Sequence, residues 1–201
     1  MPNVLIVGAT RGLGASLTDQ YVSQKSGTVF ATSRADKAPQ APADDHLHWI
    51  PQIDIGSEDA GSRLASALKT NTLDLVIITA GFFGTESFDK PNFQDEVKMY
   101  STSAIGPVFL VHHLVKAGRL QRGSKIILVS SESGSITLRH PSEGGGNYGH
   151  HASKTALNMV GRLLSLDLED QGIAVGMVHP GFMRTEMTRS VGFDKYWDDG
   201  G

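Results

Sequence analysis

Short apolar, β-branched runs alternate along the chain with longer amphipathic stretches. Val4–Val7, Thr28–Thr32, Leu47–Ile53, Leu73–Ile78, Lys125–Val129 and Ala174–Val178 read as strands. Apolar positions recurring at helical spacing predict helices over Leu13–Gln24, Ser57–Lys69, Asn92–Ala117 and His150–Glu169. Runs such as Leu75-Val76-Ile77-Ile78 are apolar on both faces, which suits strands at the centre of a sheet covered on both sides. With right-handed crossovers this alternation gives the α/β class, a single Rossmann-type, doubly wound parallel sheet with helices on both faces. The loops Ser131–Tyr148 and His179–Gly201 follow the carboxyl ends of strands, where such sheets bind ligands.

A chain of 201 residues suits one domain over 1–201 with a full core. Its net charge of -3 gives no electrostatic grip on nucleic acid or an anionic membrane. The absence of cysteine excludes disulfides, thiolate metal sites and a cysteine nucleophile, and fits a reducing compartment. No apolar run approaches the roughly 20 residues that span a bilayer. Met1-Pro2-Asn3 leads straight into Val4-Leu5-Ile6-Val7, a strand rather than a signal peptide. A soluble, cytoplasmic protein is expected. His112 and His113 are adjacent and point to different helix faces, and His46 and His48 have no fixed partner, so no metal is expected.

The first strand ends in Gly8-Ala9-Thr10-Arg11-Gly12-Leu13-Gly14, a glycine-rich turn opening a helix. Such glycines let the backbone approach a pyrophosphate, which the helix N-terminus stabilises. The second strand runs into Ala31-Thr32-Ser33-Arg34. Two guanidinium groups, Arg11 and Arg34, near a ribose attract a dianionic 2′-phosphate, whereas NAD users carry an acid there.

With these residues in view, the sequence resembles the short-chain dehydrogenase/reductase family from about Val4 to Met187. The glycine turn is that family's G-x-x-x-G-x-G. The resemblance implies an NADP(H) cofactor in preference to NAD(H), with Asp54 and Ile55 near the adenine and Thr79-Ala80-Gly81 in place of an N-A-G turn. Pro180, Gly181 and Thr185 then match the segment that holds the nicotinamide carboxamide. It further implies a homo-oligomer, dimer or tetramer, built on helices such as the one carrying Ala152, Ala156, Met159 and Leu163. Family members usually continue past the region of Asp194–Gly201, so the chain, ending at Asp198-Asp199-Gly200-Gly201, is expected to lack a last helix and strand, by truncation.

The resemblance also implies four catalytic roles. Ser131, three before Gly134, fits the serine that binds the substrate oxygen, and Lys154 fits the lysine that bonds the nicotinamide ribose. Ser103, in Ser103-Ala104-Ile105-Gly106-Pro107, replaces the family's asparagine. His150, four residues before Lys154, stands where the family has its proton-donating tyrosine.

Three readings follow. His150 lies one helical turn before Lys154 and can replace the tyrosine as proton donor, its ordinary pKa near 6.5 against a phenol near 10. A nearby ammonium lowers that value, and the shorter ring calls for a bridging water. Alternatively Tyr148, six residues before Lys154, swings its hydroxyl into the site or merely plugs the helix N-terminus, with His151 a surface or interface neighbour. Lastly, the scaffold serves a redox-neutral isomerase, dehydratase or cyclase, or a catalytically silent nucleotide-binding protein. The expected activity is reduction of a ketone or aldehyde. Phe82, Phe83, Phe88, Met183, Met187 and Phe193 sit in loops that would border a pocket for a small hydrophobic carbonyl substrate.

Overall fold

A computed structural model describes residues 2–25, 27–37, 39 and 44–196. They form one six-stranded parallel sheet, with β1 (Asn3–Val7), β2 (Thr28–Thr32), β3 (Leu47–Ile50), β4 (Leu73–Ile78), β5 (Leu120–Val129) and β6 (Ala174–Val178) in the order β3-β2-β1-β4-β5-β6. The helices are α1 (Gly12–Ser23), α2 (Ala60–Ala67), α3 (Phe93–Tyr100), α4 (Gly106–Lys116), α5 (Tyr148–Asp167) and α6 (Glu186–Ser190). The chain reverses its direction of travel across the sheet between β3 and β4. This leaves a crevice at the carboxyl ends of β1 and β4.

The pleat of β1 explains why both faces are covered. Val4 and Ile6 pack with Val29, Ala31, Leu17 and Tyr21 on the α1 side. Leu5 and Val7 pack with Phe30, Val76 and Leu110 on the other. Leu5 and Ile6 are both at 0% exposure, and each such side chain contributes about 1.5–3 kcal/mol on burial.

The elements depart from the expected ones where backbone chemistry intervenes. The third strand ends at Ile50, because Pro51 has no N–H to pair and Gln52 turns left-handed at φ 60°. The long helix expected over Asn92–Ala117 is three pieces. Between α3 and α4 the turn Ser101–Ile105 widens to a π-helix. Pro107 follows at once; it lacks a donor and crowds the preceding turn. A Cβ on Gly106 would run into the Ile55 carbonyl, so α4 starts tight against the loop after β3. β5 begins earlier than expected, at Leu120, through a register shift against β4 between Leu73 and Leu75. α5 begins two residues earlier than expected, at Tyr148. The C-terminal Asp198-Asp199-Gly200-Gly201, with the ending expected there, lies outside the described residues. No helix among the described residues is long and apolar enough to cross a membrane.

Candidate active site

The crevice opens into a cavity of about 580 Å³. One half is built on the end of β1. There the Gly8 N–H donates to Thr32 Oγ1 at 3.0 Å, and the Thr79 hydroxyl donates to the Val7 carbonyl at 2.9 Å. Gly8 has φ +91°, and a Cβ on it would stand 2.8 Å from the Ala80 backbone; one on Gly14 would strike the Gly8 carbonyl. Only glycine lets β1, β4 and the start of α1 meet this closely. No side chain of the N-cap residue Arg11 caps α1, so its first turn starts without a side-chain acceptor.

Gly8, Thr10, Arg11, Gly12, Leu13, Gly14, Ser33, Arg34, Asp54, Ile55, Thr79, Ala80, Gly81, Pro180, Gly181 and Thr185 all line this cavity. At the end of β2 the lining residues are Thr32, Ser33 and Arg34, none of them acidic. Thr185 starts α6 with a capping box. Its hydroxyl accepts from the Thr188 N–H at 3.3 Å while Thr188 Oγ1 accepts from the Thr185 N–H at 3.0 Å.

The other half is set by β5 and α5. Ser131 follows β5, and its Oγ accepts from the Ser133 N–H at 3.1 Å, which leaves its own proton to donate elsewhere. Lys154 donates from Nζ to the Val129 carbonyl at 2.9 Å. The Thr155 hydroxyl donates to the Gly134 carbonyl at 2.9 Å, so the turn bearing Ser131 and the helix bearing Lys154 are bonded directly. His150, one turn before Lys154, lays its ring against Phe83, with centroids 4.3 Å apart. Its Nδ1 is buried without a hydrogen-bond partner.

Burial, then the Lys154 charge and then His151, push the His150 imidazole down to about 4. Burial pushes Lys154 down to about 8. At neutral pH the imidazole is therefore neutral while Lys154 keeps its proton.

Ser131, His150 and Lys154 line the cavity together; Ser103 and Tyr148 do not. Ser103 is buried inside the π turn, its hydroxyl without a partner, and Thr102 lines the cavity in its stead. Tyr148 is 41% exposed at the start of α5. Phe82, Phe83, Met183, Met187 and Phe193 border the cavity, whereas Phe88 is 83% exposed and outside it.

Sequence reasoning missed three features. His151 lines the cavity instead of lying outside it. Its Nδ1–H donates to the Asn147 carbonyl at 2.8 Å, so Nε2 is the acceptor for Arg139 at 3.1 Å. Arg139 spends all five N–H groups, on Glu143 Oε2, His151 Nε2 and the carbonyls of Glu143 and Gly144. Glu132 and His179 approach to 3.7 Å on the cavity wall. The Arg139–His151 and Glu132–His179 approaches have no local signal, because the fold brings those residues together, whereas the Arg139–Glu143 and His151–Asn147 bonds span only four residues each.

The family model for short chain dehydrogenase matches residues 2–195, and the chain belongs to that family. It is 30% identical over 193 residues to 1-hydroxy-2-glutathionyl-2-methyl-3-butene dehydrogenase of Rhodococcus sp. strain AD45, covering 94% of this chain and 81% of that protein. Among solved structures it resembles NADPH-bound carbonyl reductase from chicken fatty liver, with TM-score 0.80 and 26% identity over 93% of this chain and 78% of that one. A carbonyl reductase from Pseudomonas aeruginosa PAO1 matches with TM-score 0.77 and 28% identity, over 99% and 91% of the two chains.

Proposed function

We propose that this protein is an NADPH-dependent reductase of an uncharged hydrophobic ketone or aldehyde, with the proton passing through His150 rather than a tyrosine. One observation carries the reading: His150 and Lys154, one turn apart on α5, line the same cavity as the Ser131 hydroxyl and the glycine turn. The glycine cradle and the open α1 amides fit a pyrophosphate, and Arg11 and Arg34, with no acid at the end of β2 itself, fit a 2′-phosphate. NADPH, when bound, supplies a hydride to the carbonyl carbon.

The chain's residues supply the rest. Ser131 donates its free O–H to the substrate oxygen and orients it. A neutral imidazole holds one N–H and one lone pair, so His150 passes a proton instead of storing it. The stored proton is that of Lys154, which loses it to the relay and regains it from solvent. The free donors of the Lys154 ammonium also suit a ribose hydroxyl.

The substrate class follows from the walls. Phe83, Phe193 and Phe182 form a connected aromatic face, with centroids 5.8 and 6.5 Å apart. Arg139 has no donor left for a substrate carboxylate, and Glu132, Glu143 and Glu186 share the lining. An uncharged carbonyl attached to an aromatic or aliphatic body fits such a surface. Exposed Val108 and Phe109 on α4, with Met159 and Leu163 on α5, support a homodimer through these helices.

Calorimetric titration with NADPH and with NADH, followed by an aromatic ketone screen, tests the reading. Micromolar NADPH binding, tighter than NADH, with ketone-dependent oxidation of the nucleotide is the expected result. Binding of neither nucleotide, or conversion of a substrate without one, would replace it with a redox-neutral or regulatory role.

A further inference from the structure

Helix α5 is not capped by its own N-cap residue. Asn147 sits in the left-handed region at φ 50°, and its side chain makes no bond to the first turn. Instead Asn147 Oδ1 accepts from the Glu86 backbone N–H at 3.1 Å, and the Asn147 N–H donates to the Glu86 carbonyl at 3.0 Å. The capping position is filled from 63 residues away, by Glu86 Oε1, which accepts the Gly149 N–H at 2.7 Å. Gly149 is the second residue of α5, and its N–H is the kind an N-cap side chain ordinarily takes.

The same carboxylate reaches a second helix. Glu86 Oε2 accepts from the N–H of Asn92 at 3.0 Å, and Asn92 in turn caps α3 by accepting the Asp95 N–H at 3.2 Å. One side chain thus joins the starts of α3 and α5, where its negative charge also complements both helix dipoles. Burial works against that charge, but the donors from Gly149 and Asn92 and a bond with Glu96 outweigh it and hold Glu86 below the usual carboxylate range. Glu96, partly desolvated and bonded to Glu86, is pushed the other way.

The contact is tight on its far side as well. A Cβ on Gly149 would stand 3.1 Å from the Glu96 backbone, besides crowding the Met99 and Glu96 side chains, so the first turn of α5 packs closely against α3.

His150 is the next residue, and the loop that supplies Glu86 also supplies Phe83, whose ring lies on His150. We infer that Glu86 is a positioning residue: by capping α5 in trans it fixes the rotation of that helix's first turn and thereby aims His150 into the cavity beside Phe83. This rests on His150 acting in the reaction, but the aiming itself can be read without turnover.

The test combines two variants and two readouts. Glu86→Ala removes both acceptors. Glu86→Gln keeps one oxygen for Gly149 but turns an amide N–H₂ toward the Asn92 N–H. The His150 ring signal, assigned in a ¹H–¹³C spectrum by its loss in His150→Gln, reports the aim directly. Kinetics with NADPH and an aromatic ketone report the consequence.

In Glu86→Ala the His150 signal moves or broadens, and kcat falls by about ten- to a hundredfold while the NADPH Kd stays within about twofold. Glu86→Gln falls between this variant and the natural chain, and it carries the test alone if Glu86→Ala does not fold. A folded Glu86 variant with an unmoved His150 signal and unchanged kcat overturns the inference. A moved signal combined with full activity in His150→Gln supports the positioning and removes the proton relay instead.

Discussion

The Lys154 ammonium donates to the carbonyl of Val129 at 2.9 Å, the last residue of β5 and two residues before Ser131. One charge therefore ties together the helix and the strand that carry two sides of the cavity. It is also the group whose proton is available, since burial pushes Lys154 down to about 8 and His150 is neutral above about 4. Reduction consumes a proton, so kcat/KM for a ketone is expected to fall as pH rises through about 8 and to stay level down toward the acid range. The pH profile of kcat/KM checks this, and an alkaline limb near the ordinary phenol value of about 10 would mark a tyrosine as the donor.

Arg34 follows β2 on the cavity wall, where the β2 end (Thr32, Ser33, Arg34) itself contributes no acid. Arg34→Ala is expected to weaken NADPH binding by about ten- to a hundredfold, the worth of a charge-assisted hydrogen bond, and to leave NADH unchanged. Parallel calorimetric titrations decide. Equal losses for both nucleotides would mean that the guanidinium serves the loop and not the phosphate.

The Ser103 hydroxyl is buried without a partner inside the π turn. A buried polar group with nothing to bond costs free energy, so Ser103→Ala is expected to leave stability unchanged or raise it by up to about 1 kcal/mol. Chemical denaturation of the variant measures this. A clear loss of stability would reveal a bonded hydroxyl, and a matching loss of turnover would give Ser103 the relay role of the family's asparagine.

A substrate carboxylate meets Glu132, Glu143 and Glu186 and finds Arg139 fully engaged. An aromatic keto acid is expected to show a KM about tenfold or more above that of its methyl ketone analogue, with the greater part of the loss in binding. Steady-state kinetics on such a pair settles the point. Preference for the acid would show that Arg139 gives up its present partners to hold it.

Much of this was legible in the chain because the decisive signals are local. The glycine turn Gly8–Gly14 and the basic Arg11 and Arg34 announce themselves within a few residues. The apolar runs of β1 and β4 fix a sheet covered on both faces. His150 and Lys154 were placeable for the same reason, being four residues apart on one helix. What escaped depends on distant partners or on the missing donor of a proline. The π turn before Pro107 hides inside a plausible helix, the polar start of β5 lacks apolar alternation, and Glu86 meets Asn147 and Gly149 only after folding. The lowering of the His150 imidazole by Lys154 follows from their spacing, but the larger cause, burial, comes with packing that no spacing reveals.

The most direct measurement is ketone-dependent NADPH oxidation at neutral pH by the natural chain, His150→Ala and His150→Tyr. If His150 carries the proton, the alanine variant loses about a hundredfold or more in kcat while still binding NADPH, and the tyrosine variant matches or exceeds the natural chain. Unchanged turnover in His150→Ala would contradict the account.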